Sequence, residues 1–201
     1  MSRPTPRPRN AAATRQAILD SAVTAFTRHG YDGVGLREIA AAAGVTAILV
    51  NRYFGSKEAL FTEVVAVSFA QPTMIPGEPG DTTDLAVQIA RALVARTAAD
   101  ADHLGPFELM LKSAANPKAA EIMRAGIREN VGARFTGALH GAHAGQRAEL
   151  GLALLAGTWL MRRIIGTPAL READPEQLTN QIVRVLATIV EPHTDPGAVP
   201  G

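Results

Sequence analysis

The side chains that most often do chemistry are thinly spread in this chain. There is no cysteine, which excludes a thiolate metal site, a thiol nucleophile and a disulfide framework, and fits a reducing compartment. His140 and His143 stand at an i, i+3 spacing that suits a metal ion, but no carboxylate is spaced with them and they border the glycine-rich break Gly141–Gly145, so they read as surface histidines. No phosphate-cradling glycine loop, nucleotide-binding glycine fingerprint, GxSxG elbow or HExxH pair occurs, and the acidic residues form no evident pair. Neither an enzyme nor a bound cofactor is expected. The chemistry that does stand out is cationic. Residues 1–57 hold eight basic side chains (Arg3, Arg7, Arg9, Arg15, Arg28, Arg37, Arg52, Lys57) against Asp20, Asp32 and Glu38, a net +5. Residues 58–201 hold the remaining 12 basic and 16 acidic groups, a net −4. A basic front end on a mildly acidic remainder points to a polyanion as the partner of that end alone.

The elements that must position those cations are helical. Of 201 residues, 47% are hydrophobic, 19% charged and only 4% aromatic, and alanine is abundant, a balance that favours a globular, helix-rich fold. Residues 1–11, with prolines at 4, 6 and 8, read as a disordered basic arm. From Ala12, Ile18, Ala22, Ala25 and Phe26 share one helical face that ends at His29-Gly30. Leu36–Ala43 is a second helix closed by Gly44, and a third, which Thr46 can cap, runs to about Tyr53. Gly55-Ser56 breaks it and Ser56 starts the next, Lys57 to about Phe69. After a loop from Gln71 to Asp84, helices are predicted at about Asp84–Ala99, Gly105–Ala115, Pro117–His140, Gln146–Ile165 and Pro175–Val190, with a flexible tail over 191–201. The longest apolar run, Leu150–Met161, is too short to cross a bilayer and stops at Arg162-Arg163. The N-terminus lacks the apolar stretch of a signal peptide, so a cytoplasmic protein without membrane contact is expected.

Leu36 to Tyr53 has the form of a helix-turn-helix. Ile39 and Ala40 pack on the following helix, Ala43 is small at the crossing, Gly44 makes the turn, and Val45 and Val50 plug the core. Such a second helix lies in the major groove with its N-terminal half against base edges.

The wider context is more specific. The run Gly30-Tyr31-Asp32, then Leu36-Arg37-Glu38-Ile39-Ala40, then Ala43-Gly44-Val45-Thr46, then Arg52-Tyr53-Phe54-Gly55-Ser56-Lys57-Glu58-Ala59-Leu60-Phe61 strongly resembles the N-terminal domain of TetR-family transcriptional regulators. The match covers about residues 12–61; the remainder resembles the family in general plan only. The resemblance implies an all-α chain with a three-helix DNA-binding domain over 12–56 and a larger helical ligand-binding and dimerisation domain over 57–190, about nine helices in all. It implies a bacterial repressor that binds a double-stranded, palindromic operator as a homodimer and is released by a small molecule. An activating or ligand-independent regulator of the same family, or a non-DNA-binding helical interaction module, is the alternative.

By the same resemblance, DNA contacts fall on Arg37, Thr46, Ala47, Ile48, Asn51, Tyr53 and Lys57, with Arg52 as a further phosphate candidate. Their chemistry suits the roles. Lys57 at a helix start can meet a phosphate, Arg37 a guanine and Asn51 an adenine, and Ala47 and Ile48 a thymine methyl. Phe54 reads as core. Gly35 stands where the family usually has a Ser or Thr cap, Asn51 where tyrosine is commonest, and Ile48-Leu49 where a small or polar pair is usual. For the effector, the plan implies a cavity walled by the large side chains of the middle helices, Phe107, Met110, Met123, Ile127 and Trp159, which favours an apolar or aromatic ligand. For the dimer it implies the last two long helices, with the stripe Leu178, Ile182, Val185, Leu186 and Ile189 facing the partner subunit.

Overall fold

A computed structural model describes residues 8–70, 74–75, 82–99, 101 and 105–191. The elements in chain order are α1 (Pro8–His29), α2 (Leu36–Ala42), α3 (Ala47–Phe54), α4 (Lys57–Ala70), α5 (Thr82–Arg96), α6 (Gly105–Ser113), α7 (Pro117–Ile127), α8 (Ala133–Ala138), α9 (Ala144–Trp159), α10 (Pro168–Arg171) and α11 (Pro175–Val190). A π-helical turn, Arg128–Gly132, joins α7 to α8, and another, Leu160–Ile165, extends α9. No strand occurs among the described residues, as the composition leads one to expect. Among them, too, no helix is long and apolar enough to cross a membrane.

The element boundaries follow local chemistry. Ser56 accepts the Ala59 amide at 3.1 Å and so caps α4. Asp174 accepts the Gln177 amide at 2.9 Å with Pro175 in the first turn, which starts α11 where predicted. Two expectations are corrected. α1 begins at Pro8, not Ala12, because proline's missing N–H costs nothing in a helix's first turn. The expected helix Pro117–His140 is α7, a π turn and α8 in succession and ends at Ala138. Residues 1–7 of the expected arm, most of the 71–84 loop, and 192–201 of the expected tail lie outside the described residues.

The chain forms two compact units, which a cut at residue 56 does not reproduce. The first holds residues 8–70 and Gly105–Gly126, and the second the described residues of 74–101 and 127–191. In the first, Ile18, Ala22 and Phe26 of α1, Ile39 and Ala40 of α2, Val50 and Phe54 of α3, and Leu60, Phe61 and Val64 of α4 make one buried core. Phe26, Tyr31 and Phe61 pack at its centre, with ring centroids 4.9–6.1 Å apart. α6 and α7 join this unit through the end of α1. Gly30 has φ +73°, and a Cβ there would lie 2.3 Å from the Lys112 carbonyl oxygen, so only glycine fits the approach. The Tyr31 amide donates to the Ser113 hydroxyl at 3.0 Å, and the Asn116 amide donates to the Asp32 carboxylate at 2.9 Å. Those partners are more than 80 residues away in sequence, which is why periodicity could not place α6 and α7 here.

In the second unit, α5 buries Leu85, Ala86, Ile89, Ala90, Leu93 and Val94 on one face, and α11 buries Leu178, Ile182, Leu186 and Val190 at strict i+4 spacing. These two faces pack on each other, with α9 beside them. Arg147 of α9 is 7% exposed, and its guanidinium donates to the carbonyls of His140, Ala142, Ile189, Val190 and Glu191. One buried cation thus closes the end of α11 and the loop after α8.

Candidate nucleic-acid interface

Three helices of the first unit build a helix-turn-helix. α2 starts at Gly35, whose extended backbone (φ −100°, ψ 159°) fills the cap position without a side chain. Glu38 compensates, its carboxylate accepting the Gly35 amide at 2.7 Å. The turn between α2 and α3 closes through the Val45 amide, which donates to the Ala40 carbonyl at 2.9 Å, with Gly44 at φ +68°. Thr46 takes the cap position of α3 with extended backbone, and its carbonyl accepts the Leu49 and Val50 amides, but its hydroxyl makes no cap bond. Thr46 as a whole is exposed.

α3 is divided cleanly between two faces. Val50, 1% exposed, and Phe54 point into the core, and the Arg15 guanidinium stacks over the Phe54 ring at 4.6 Å. Thr46, Ile48, Asn51 and Arg52 are exposed, as is Arg37 of α2, while Ala47, Leu49 and Tyr53 are half-buried. Ile48 is 81% exposed, the most exposed of the large apolar side chains described. An isoleucine this exposed adds almost nothing to the buried core of its unit.

Lys57 opens α4, where the helix N-terminus adds its positive end, and its ammonium rests over the Tyr31 ring at 4.5 Å. Tyr31 was not singled out from sequence as a positioning residue. Its phenol is pushed up to about 12, by burial first and then by the charge and hydrogen bond of Glu58, so it stays neutral beneath the ammonium. Glu58 is held down to about 2, by its own backbone amide first and then by Lys118 and Ser56, and its carboxylate lies 3.1 Å from the Lys118 ammonium. The only sequence signal for this arrangement was the Gly30-Tyr31-Asp32 string; the approach of Lys57 to Tyr31 is tertiary.

The other expected site residues are placed as follows. Phe107, Met110 and Met123 fall in the first unit, with Met123 buried and the other two half-buried. Ile127, half-buried, and Trp159, 3% exposed, fall in the second. In the stripe expected to face a partner subunit, Leu178, Ile182 and Leu186 are instead buried in their own chain, because α5 offers them a complementary alanine- and leucine-lined face. Val185 is exposed and Ile189 half-buried. His140 and His143 are both exposed.

Comparison with known proteins adds to this geometry. The profile described as bacterial regulatory proteins, tetR family, matches residues 18–64, and that of the tetracyclin repressor-like C-terminal domain matches 84–190. The HTH-type transcriptional regulatory protein RaaS of Mycobacterium tuberculosis is 57% identical over 53 residues, 26% of this chain and 24% of that protein. The chain thus matches about a quarter of that relative's length. A TetR-family regulator from Streptomyces coelicolor, SCO0857, has a crystal structure with a TM-score of 0.58 at 24% identity, covering 93% of this chain and 99% of that one. The multidrug binding protein EbrR, crystallised with ethidium, gives a TM-score of 0.60 at 24% identity over 86% of this chain and 97% of that one. These solved structures share the fold. With both profiles matched in order, and the C-terminal one spanning more than half of the residues, the chain belongs to the TetR family of bacterial regulatory proteins.

Proposed function

We propose that the protein is a sequence-specific DNA-binding repressor, cytoplasmic and without catalytic activity, that occupies a palindromic operator as a homodimer and leaves it when a small apolar or aromatic molecule binds. The observation that carries the reading is the outer face of α3. Thr46, Ile48, Asn51 and Arg52 stand in solvent on a helix anchored from behind by Val50 and Phe54. Arg37 and Lys57 flank it as cations for phosphate or guanine. The ligand reading is supported by the EbrR complex, a solved structure of this fold that holds ethidium, a flat aromatic molecule. For the dimer, burial of Leu178, Ile182 and Leu186 leaves Val185 and Leu150, 48% and 57% exposed, as the apolar positions of α11 and α9 that a second copy would cover.

The test starts from selection of bound operator out of random duplexes, followed by titration of variants over a range of salt. Lys57→Ala weakens binding to all sequences alike and flattens the salt slope by about one unit. Asn51→Ala relaxes preference at one base position. A Lys57→Ala protein with unchanged affinity and salt slope overturns the docking proposed here.

A further inference from the structure

The second unit contains a cleft of about 210 Å³ that the proposed regulatory reading does not use. Thr97 and Ala99 line it from the end of α5, Arg162 to Gly166 from the π turn, and Arg171 from α10. Three guanidinium groups therefore share one small space.

Two of them have structural work. Arg162, 6% exposed, donates through Nε to the Leu170 carbonyl at 3.1 Å and through Nη1 to the Val94 carbonyl and the Thr97 hydroxyl at 2.7 and 2.8 Å. Arg163 donates to the carbonyls of Ala98, Ala99 and Ala101. Both thereby close the C-terminal end of α5. That role leaves donors over. A guanidinium carries five N–H groups, and neither Arg162 Nη2 nor Arg163 Nε is used in these bonds. Arg171 is exposed and makes no hydrogen bond or ion pair among the described residues. Its Nη1 lies 3.6 Å from where a Cβ on Gly166 would stand.

Among the described residues the charge is also out of balance. No described carboxylate forms an ion pair with any of the three arginines. The C-terminal end of α5 supplies only about half a negative charge against three positive ones. Burial first, and then the neighbouring Arg163, depress the Arg162 guanidinium below its ordinary value, the cost of burying a cation beside a like charge.

We propose that this cleft binds a small oxyanion, the phosphate or carboxylate group of a soluble metabolite, with Arg171 and the unused donors of Arg162 and Arg163 as its ligands. Its volume lies below the ~300–1,000 Å³ of drug-sized sites, so it takes a headgroup and not a ring system. Ile164 and Ile165, 48% and 62% exposed, line it with apolar surface for a short carbon body.

The experiment is calorimetric titration of the full chain with sodium phosphate and, separately, sodium malonate, at constant ionic strength set with chloride. Saturable binding of one of them to the wild type, weakened about tenfold or more by Arg171→Ala, is the expected result. Which anion binds tells phosphate from carboxylate. Arg171→Ala has no described partner to lose, so its circular dichroism stays that of the wild type, whereas Arg163→Ala would disturb the end of α5 whatever binds. Arg184→Ala, an exposed arginine on α11, serves as the control and leaves binding unchanged. Binding of neither anion, or binding that Arg171→Ala and Arg184→Ala alter equally, overturns the proposal. So does binding that appears only after Asp100→Asn and Asp102→Asn, since the chain's own carboxylates would then be the occupant.

Discussion

Replacing Ile48 with alanine separates what α3 does for the fold from what it does for DNA. The side chain is 81% exposed, so removing three of its carbons takes almost nothing from the core. The folding free energy should move by less than about 0.5 kcal/mol, the range of surface substitutions. In the docking proposed above, DNA covers the same carbons. At ~0.8 kcal/mol per buried methylene-sized group, full coverage of three sets a ceiling of about 2.4 kcal/mol. A side chain lying in a groove against a thymine methyl loses about half its exposure, which gives about 1.2 kcal/mol, or close to tenfold in Kd. Val50→Ala is the counterpart. It lies two residues away, is 1% exposed, and its truncation should cost about 2–3 kcal/mol of stability by lost transfer energy and a residual cavity. Urea unfolding followed by circular dichroism measures the first quantity, and fluorescence anisotropy with a selected operator at fixed salt measures the second. An Ile48→Ala protein that binds its operator as tightly as the wild type refutes the assignment of this face. One destabilised by more than about 1 kcal/mol shows that Ile48 serves the fold instead.

Arg147→Met keeps the bulk of the buried stem but leaves the carbonyls of His140, Ala142 and the α11 end without their donor. A loss of about 2–4 kcal/mol is expected by urea unfolding, and a loss below about 0.5 would show that water replaces the guanidinium. Gly151→Ala gains helix propensity of about 1 kcal/mol but places a Cβ 2.4 Å from the ring of the fully buried Phe135. The clash wins, and a midpoint that rises instead of falling would contradict the packing of α8 on α9. Glu58 titrates near 2 in the folded chain and nearer 4.5 when unfolded, so between these values the unfolded state binds more protons. Its contribution is complete above about pH 5 and is lost as pH falls toward 2. The stability gap between wild type and Glu58→Gln should therefore close over that window, and a gap independent of pH would remove the ionised carboxylate, held by its own backbone amide first and then by Lys118, as its source.

Much of the helix-turn-helix was legible in the sequence because its determinants are local. The i+4 apolar spacing of Val50 and Phe54, the glycine at position 44 and the cap at Ser56 each act within one turn of chain, and each placed its element within a residue or two. Which of Ile48 and Leu49 turns inward was not legible; the structure leaves Ile48 exposed and Leu49 half-buried. The stripe on α11 shows where that logic stops. Its spacing states that one face is covered but not by what, and only the meeting of α11 with α5 decided that Leu178, Ile182 and Leu186 are core and Val185 is surface. The placement of α6 and α7 with the first unit rests on Ser113 and Asn116 reaching the end of α1 across more than 80 residues, a closure no local pattern encodes. Arg147 and Arg162 were least legible of all. An arginine that pairs with a carboxylate has a partner that can be sought in the sequence. These two bond mainly to main-chain carbonyls, which every residue carries, so only the tertiary fold distinguishes them from arginines in water.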